Sequence, residues 1–282
     1  MVKHILPLLE VPHTVYTEVY FGGGAVFFAK RPALTETIND NNNMVVNFYE
    51  VVKLHYRKLK PLIMASLVSR DHWRRATDIY KNPEGHDKIQ RAWAFWFAAN
   101  FSFASKPTGG LKYSNNQHFS APSLMKRKKE DLCEAIVERI ENATIENKDA
   151  AVVLRSRNVK QAMHYIDPPY PDSDQGHYSG FTMEDLVKLL DVCVTLKGKF
   201  ILSTYSYPEL DIYCDRHGWL QQEVIKPKLN NYKGAKQRTE MLTMNFQPNV
   251  RRMDLFDRPL VPDETMMISD NPQSLSQIEY NR

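Results

Sequence analysis

Two consecutive prolines set the first constraint on this chain. The apolar run Met163-His164-Tyr165-Ile166 leads into Asp167, and Pro168, Pro169 and Tyr170 follow at once. Proline has a fixed φ and no N–H, so a central strand cannot continue through it. The run therefore reads as a buried strand that stops just before a stiff turn. In such a turn the Asp167 side chain and the Pro168 carbonyl are two acceptors at fixed positions, and Pro169 holds the Tyr170 ring beside them as a flat face. That set suits an exocyclic amino group on a planar ring: two N–H donors meet two acceptors while the ring stacks. The plainer alternative is a proline-rich turn with an exposed aspartate.

The rest of the chain alternates between strand and helix patterns. Residues 15–19 carry β-branched and aromatic character and run into Phe21-Gly22-Gly23-Gly24, beyond which Ala25 to Phe28 reads as an apolar helix or strand. A second short strand, 35–38, ends in Asn39-Asp40-Asn41-Asn42-Asn43, any of which can cap the next helix. That helix has its apolar stripe at Val45, Phe48, Tyr49, Val52, Tyr56 and Leu59, and its end is expected near Pro61. Pro122-Ser123 opens a further helix with Leu124, Leu132, Ile136, Val137 and Ile140 inward. Its run Lys126-Arg127-Lys128-Lys129 is expected in the first turns, where cations oppose the helix dipole. A helix over 182–196, with Thr182 as cap, precedes a strand over 199–205. Period-two alternation around Glu240, Leu242, Met244 and Phe246, with the run near 219–225, predicts a terminal hairpin.

Strands alternating with helices argue for an α/β fold with a mostly parallel sheet, in which ligands lie at the carboxyl ends of the strands. Both the glycine turn and the Asp167 turn fall at such ends. Between residues 55 and 118 the character changes. Aromatic and basic residues interleave, as in His72-Trp73-Arg74-Arg75 and Arg91-Ala92-Trp93-Ala94-Phe95-Trp96-Phe97. This stretch reads as a mainly helical insertion with a polar loop over 106–116. Residues 1–54 and 119–249 then form the main domain, and 250–282 a flexible tail. Trp93, Phe95, Trp96 and Phe97 read as core rather than as contact residues.

Gly22-Gly23-Gly24 permits close approach of backbone to a ligand. It does not match GxGxxG, and a structural turn would explain it alone. Asp40 shifts the weight: an acid about 20 residues past such a turn is the usual partner of ribose hydroxyls. No lysine follows the glycines, so a nucleoside without phosphates fits best, and S-adenosyl-L-methionine is one.

The net charge of +4 permits nucleic acid as a partner without demanding it. Three cysteines, Cys133, Cys193 and Cys214, fit no zinc spacing and are expected to be reduced thiols in a cytoplasmic protein. No metal site and no membrane span is expected.

Taken together, Phe21-Gly22-Gly23-Gly24, Asn39-Asp40, Asp149 in Ile145-Glu146-Asn147-Lys148-Asp149-Ala150, and Asp167-Pro168-Pro169-Tyr170 resemble the Dam-like adenine-N6 DNA methyltransferases. The likeness covers roughly residues 15 to 248 and includes the order of the motifs. It implies a Rossmann-like S-adenosylmethionine-dependent fold and double-stranded DNA as substrate, and it leaves open whether a restriction endonuclease is a counterpart. Phe21, Gly22, Gly23 and Gly24 would line the methionine end of the cofactor, Asp40 would hold the ribose, and Asp149 would meet the adenine. Asp167 and Pro168 would accept from the target amine, and Tyr170 would stack on the target base. The insertion would read DNA, with Arg74, Arg75, Arg91, Lys106 and Lys112 on phosphates or a guanine edge and Asn115 and Asn116 on adenine. The family's Tyr-x-Gly-Gly-Lys-like segment is not found ahead of the first strand, where the chain reads Met1-Val2-Lys3-His4-Ile5. Two alternatives stay open: a methyltransferase acting on another amine (cytosine N4, RNA adenine, a protein glutamine), and a non-catalytic DNA-binding relative. In the family's habit, Asp at the first position of the tetrapeptide favours adenine.

Overall fold

A computed structural model describes residues 1–102, 109–112, 120–171, 180–224 and 240–248. In chain order its elements are α1 (Val2–Ile5), a 3-10 segment (Leu6–Glu10), β1 (Val15–Glu18), α2 (Ala25–Ala29), β2 (Thr35–Asn39), α3 (Asn43–Met64), α4 (Arg70–Lys81) and α5 (Lys88–Phe101). Then follow α6 (Ala121–Asp131), α7 (Glu134–Glu141), β3 (Ala143–Glu146), α8 (Ala150–Ser156), β4 (Ala162–Ile166), α9 (Met183–Val194), β5 (Lys199–Tyr205), α10 (Pro208–His217), β6 (Leu220–Val224) and β7 (Glu240–Met244). The strands join in one sheet of order β3-β2-β1-β4-β5-β7-β6. The first five in that order run parallel, and β7 is antiparallel to both β5 and β6. This is the mostly parallel sheet with a terminal hairpin that the alternation predicts.

The central strands are buried on both faces because both faces are covered, and they carry buried polar residues such as Thr17, Glu18, Glu36 and His164 among the apolar ones. Tyr16, Ile38, Met163, Tyr165, Ile201 and Leu242 share one buried cluster with aromatics of α2, α3 and α5. Val19, Ile166, Phe200 and Leu202 share the other with α8, α9 and α10. Trp93, Phe95, Trp96 and Phe97 are all buried in the first cluster, so the aromatic run is core. Among the described residues no helix is long and apolar enough to cross a membrane.

Chain order and sheet order disagree at one place that matters. From β1 the chain builds outward through β2 and β3, then returns to add β4 and β5 on the other side of β1. The connections after β1 and β4 therefore leave in opposite directions and open a crevice at their carboxyl ends, the usual ligand position in such sheets.

Several local expectations are corrected. The helix expected to end near Pro61 continues to Met64; Pro61 is exposed in its last turn, and Ala65 N–H still donates to the Pro61 carbonyl at 2.9 Å. Residue 55, taken as the start of the insertion, lies inside this helix, at a kink where His55 has φ −136° and ψ 26°. The single helix expected from Pro122 is two, α6 and α7, broken at Leu132 and Cys133, whose backbones leave the helical region. Because α6 stops at Asp131, Lys128 and Lys129 occupy its last turn, where cations favour the dipole rather than oppose it. The strand β3 and the helix α10 were not anticipated.

Candidate active site at the carboxyl ends of β1 and β4

The glycine turn leaves β1 through a backbone that side chains resist. Gly22 has φ 48° and Gly24 φ 63°, both left-handed. A Cβ on Gly24 would lie 2.5 Å from Phe21 Cζ and 2.8 Å from Phe28 Cε2, whereas one on Gly23 would meet nothing within 4 Å. The turn is thus closed on its inner side and open at Gly23. Phe21 itself is buried, packing edge-on against Tyr49 at 4.7 Å and Phe27 at 5.4 Å. Its ring packs in the core, and Phe21 also lines a cavity beside the three glycines.

Asp40, one residue past β2, is also buried. Its Oδ2 accepts from Gly22 N–H at 2.8 Å and its Oδ1 from Asn42 N–H at 2.9 Å. The carboxylate expected to hold a ribose therefore holds the glycine turn in this structure. Asn42 caps α3, its Oδ1 accepting from Met44 N–H at 2.9 Å. Asp149 is exposed and caps α8, with Oδ1 accepting from Ala151 N–H at 2.9 Å. Asn39 ties the strand ends together, donating to the Val19 and Lys148 carbonyls at 2.9 and 3.0 Å.

Two cavities meet at this edge. A cavity of about 300 Å³ is lined by Gly22, Gly23, Gly24, Asp167, Pro168 and Tyr170, among others. A larger one of about 840 Å³ is lined by Asn41, Asn42, Asp149, Phe181 and Tyr80. Tyr20 and Pro169 line both. The glycine turn, the Asp167-Pro168-Pro169-Tyr170 turn and Asp149 are thus brought to one continuous edge. Asp40 stands behind it.

The tetrapeptide is anchored by its own strand. Tyr165 donates its hydroxyl to Asp167 Oδ2 at 3.2 Å. Burial and the adjacent Asp167 carboxylate push the Tyr165 hydroxyl well above its ordinary range, so it stays a donor. The Tyr170 ring lies 4.2 Å from the ring of Tyr205 on β5, tilted by 53°. Tyr205 was not anticipated from sequence.

Glu18, the last residue of β1, was also missed. It is buried, lines the smaller cavity, and accepts from the Tyr16 hydroxyl at 2.8 Å. Burial pushes its carboxyl up to about 8, helped by Asp167 and opposed by the Tyr16 hydroxyl and Lys30. Because the folded pKa exceeds the unfolded one, this group's contribution is complete below about pH 4.5 and declines as pH rises to about 8. Wild type should therefore lose stability across that window, by on the order of a few kcal/mol. Glu18→Gln should flatten the profile, as read by urea midpoints from pH 5 to 9. Equal slopes in the two proteins would remove Glu18 as the cause.

The lining of the smaller cavity tests its fit to a cofactor. Among the described residues it includes the Asp167 carboxylate and the Glu18 carboxyl, which burial keeps largely protonated at neutral pH, and no lysine, arginine or histidine side chain. A lining of carboxyl groups and glycine backbone without basic side chains disfavours phosphate, and the open space over Gly23 leaves room for a ligand held by hydrogen bonds.

Comparison with known proteins agrees with this geometry. A model of the D12 class N6 adenine-specific DNA methyltransferases matches residues 1–228. The chain belongs to this family. One similar protein is the Type II methyltransferase M1.LlaDCHI of Lactococcus lactis subsp. cremoris, 26% identical over 237 residues that cover 76% of this chain and 81% of that protein. The family's reaction is methylation of adenine N6 in DNA, in accord with the amino-group recognition expected of the Asp167 turn.

Of the basic residues expected on DNA in this methyltransferase, Arg74 and Arg75 are exposed on α4. Arg74 pairs with Asp71 at 3.7 Å, and Arg75 lies over the Trp93 ring at 5.3 Å. Arg91 is half-buried in the first turns of α5. Lys112 closes a short β-bridge region, its N–H donating to the Phe101 carbonyl at 2.7 Å beside the Ser102–Leu111 bridge. Trp73 Nε1 donates to the Gly109 carbonyl at 2.9 Å and ties this region to α4. Lys106, Asn115 and Asn116, like the tail over 250–282, lie outside the described residues.

Proposed function

We propose that this methyltransferase uses S-adenosylmethionine, with the adenosine part in the larger cavity and the methionine part in the smaller one. The observation that carries the reading is the shared cavity: the glycine turn and Asp167 line one space, and Tyr20 and Pro169 join it to the space over Asp149. The glycine backbone and the Glu18 carboxyl, as a hydrogen-bond acceptor, would hold the methionine end, and Asn41, Asn42 and Asp149 the nucleoside. Bound there, the cofactor supplies an electrophilic methyl group.

The chain's own residues would do the rest. The amine of adenine is a poor nucleophile because its lone pair is delocalised into the ring. Asp167 and the Pro168 carbonyl accept the two amino hydrogens and draw them from the ring plane, which localises that pair on nitrogen. The same acceptors stabilise the positive charge that develops there. Positioning of both reactants contributes heavily. Asp167 need not be a strong base, since an alkylated ammonium loses its proton readily.

The amine is inaccessible in stacked duplex, so the target base is flipped out, at a cost of a few kcal/mol. Tyr170 offsets part of this by stacking, about 1–3 kcal/mol. Tyr170→Ala should accordingly raise KM for DNA and lower kcat, roughly 10-fold or more in kcat/KM. An unchanged kcat/KM would remove Tyr170 from the base site. Residues 55–118 are proposed as the DNA-reading segment, with Arg74, Arg75, Arg91, Lys106 and Lys112 on the backbone or a guanine edge and Asn115 and Asn116 on base edges. The designation of the relative as a Type II methyltransferase supports a restriction endonuclease as the counterpart of this enzyme.

The test is incubation with methyl-tritiated S-adenosylmethionine and two DNAs, one unmethylated and one already N6-methylated. Label entering only the first, recovered as N6-methyladenine after digestion, is the expected result. Label recovered as N4-methylcytosine, or label entering both DNAs equally, would overturn the reading.

A further inference from the structure

One wall of the larger cavity comes from the segment proposed to read DNA. Tyr80, near the end of α4, lines that cavity, and its hydroxyl accepts from Asn42 Nδ2 at 3.2 Å. Asn42 N–H donates to Asp40 Oδ1, and Asp40 Oδ2 accepts from Gly22 N–H. A hydrogen-bonded path thus runs from the glycine turn through Asp40 and Asn42 to α4. Burial keeps the Tyr80 hydroxyl above its ordinary range, against the hydrogen bond from Asn42, so it is a neutral O–H that can donate as well as accept.

The same helix carries Arg74 and Arg75, both exposed. Five or six residues separate them from Tyr80, roughly 8–9 Å along the axis. The helix is seated by Ala76, Thr77 and Ile79, which are buried, and by the Trp73 bond to Gly109. One rigid element therefore presents a side chain to the nucleoside cavity near one end and two cations to solvent nearer the other.

We propose that Tyr80 is a cofactor-contact residue contributed by the DNA-reading segment, and that through it cofactor binding and DNA binding strengthen each other. The inference rests on the reading that the larger cavity takes the adenosine part. A nucleoside packed between Asp149 and the Asn42–Tyr80 wall adds contacts that exist only when α4 is seated. DNA held by Arg74 and Arg75 favours the same seated helix. Two ligands that prefer one conformation raise each other's affinity by the same factor.

The experiment uses the full chain and a duplex chosen for accepting label in the assay above. DNA affinity is measured by fluorescence anisotropy with and without saturating S-adenosylhomocysteine, and S-adenosylhomocysteine affinity by calorimetry with and without the duplex. Wild type should show the same factor in both directions, roughly fivefold or more. Tyr80→Phe, which keeps the ring and removes the bond to Asn42, should lower the factor, and Tyr80→Ala should bring it close to unity. Thermal midpoints confirm that both variants fold. A wild-type factor of unity, or a Tyr80→Ala protein that folds and keeps the wild-type factor, overturns the coupling. Failure of wild type to bind S-adenosylhomocysteine would overturn the cavity assignment and the coupling together, whereas binding with an undiminished factor in Tyr80→Ala would overturn the coupling alone.

Discussion

Asp167→Ala is expected to lower methyl transfer by roughly 10³-fold or more, because it removes a charged acceptor aimed at the nitrogen where positive charge develops. S-adenosylhomocysteine binding should be nearly unchanged, since the glycine turn is held by Asp40 and not by the tetrapeptide. Stability should fall by only about 1 kcal/mol, the cost of leaving the Tyr165 hydroxyl without its acceptor. Asp167→Asn keeps one carbonyl acceptor without the charge and should retain intermediate activity. The informative pair of measurements is single-turnover transfer and cofactor affinity on the same preparation. Loss of both in parallel would move Asp167 from the amine to the cofactor.

Glu36→Ala should be the most destabilising single change away from the site, by about 3–5 kcal/mol, as expected when one partner of a buried ion cluster is removed. Glu36 lies on β2 and is buried; Lys30 and Arg139 both pair with its carboxylate, and Ala33 N–H donates to it at 3.0 Å. Burial alone would raise the Glu36 carboxyl, and the Arg139 and Lys30 bonds outweigh it and hold it below its usual range. Without the carboxylate, Lys30 would remain buried against the Tyr16 ring at 4.0 Å, and Arg139 half-buried against the Phe27 ring at 3.6 Å, each with an unbalanced charge. The melting midpoint should drop on the order of 10 °C. Replacing the cluster together, as Lys30→Met, Glu36→Leu and Arg139→Met, should recover much of the loss, because no charge is then stranded. A Glu36→Ala protein within about 1 kcal/mol of wild type in urea would show the cluster to be dispensable. Since Lys30 directly follows α2, the cluster also seats the helix that the glycine turn enters.

What could be read from the chain was what local geometry dictates. The β5 strand was placed residue for residue, and β1, β2 and β4 to within a residue, because short runs rich in β-branched, aromatic and aliphatic residues are bounded by glycine, proline or Asx breakers. Thr182 with Asp185 forms the expected cap, here a full capping box. The tetrapeptide was legible because two prolines and an aspartate leave few backbone options. The glycine turn was legible because Gly22 and Gly24 occupy left-handed backbone. Edge strand β3 was missed because its burial is only partial, and its pattern carries little period. The break between α6 and α7 was missed because Leu132 fits a helical stripe as well as it fits a corner.

The sequence by itself determined the α/β order, the two turns at the strand ends and the chemistry they suit. Only the tertiary structure decided that Asp40 braces the glycine turn, that Glu18 is buried beside Asp167, that Tyr80 reaches the cavity from α4, and that Arg139 meets Glu36 from 103 residues away. The division is physical. Backbone dihedrals and hydrophobic period are properties of a few adjacent residues, whereas the partner of a buried charge or a cavity-lining hydroxyl is set by which distant elements pack against it.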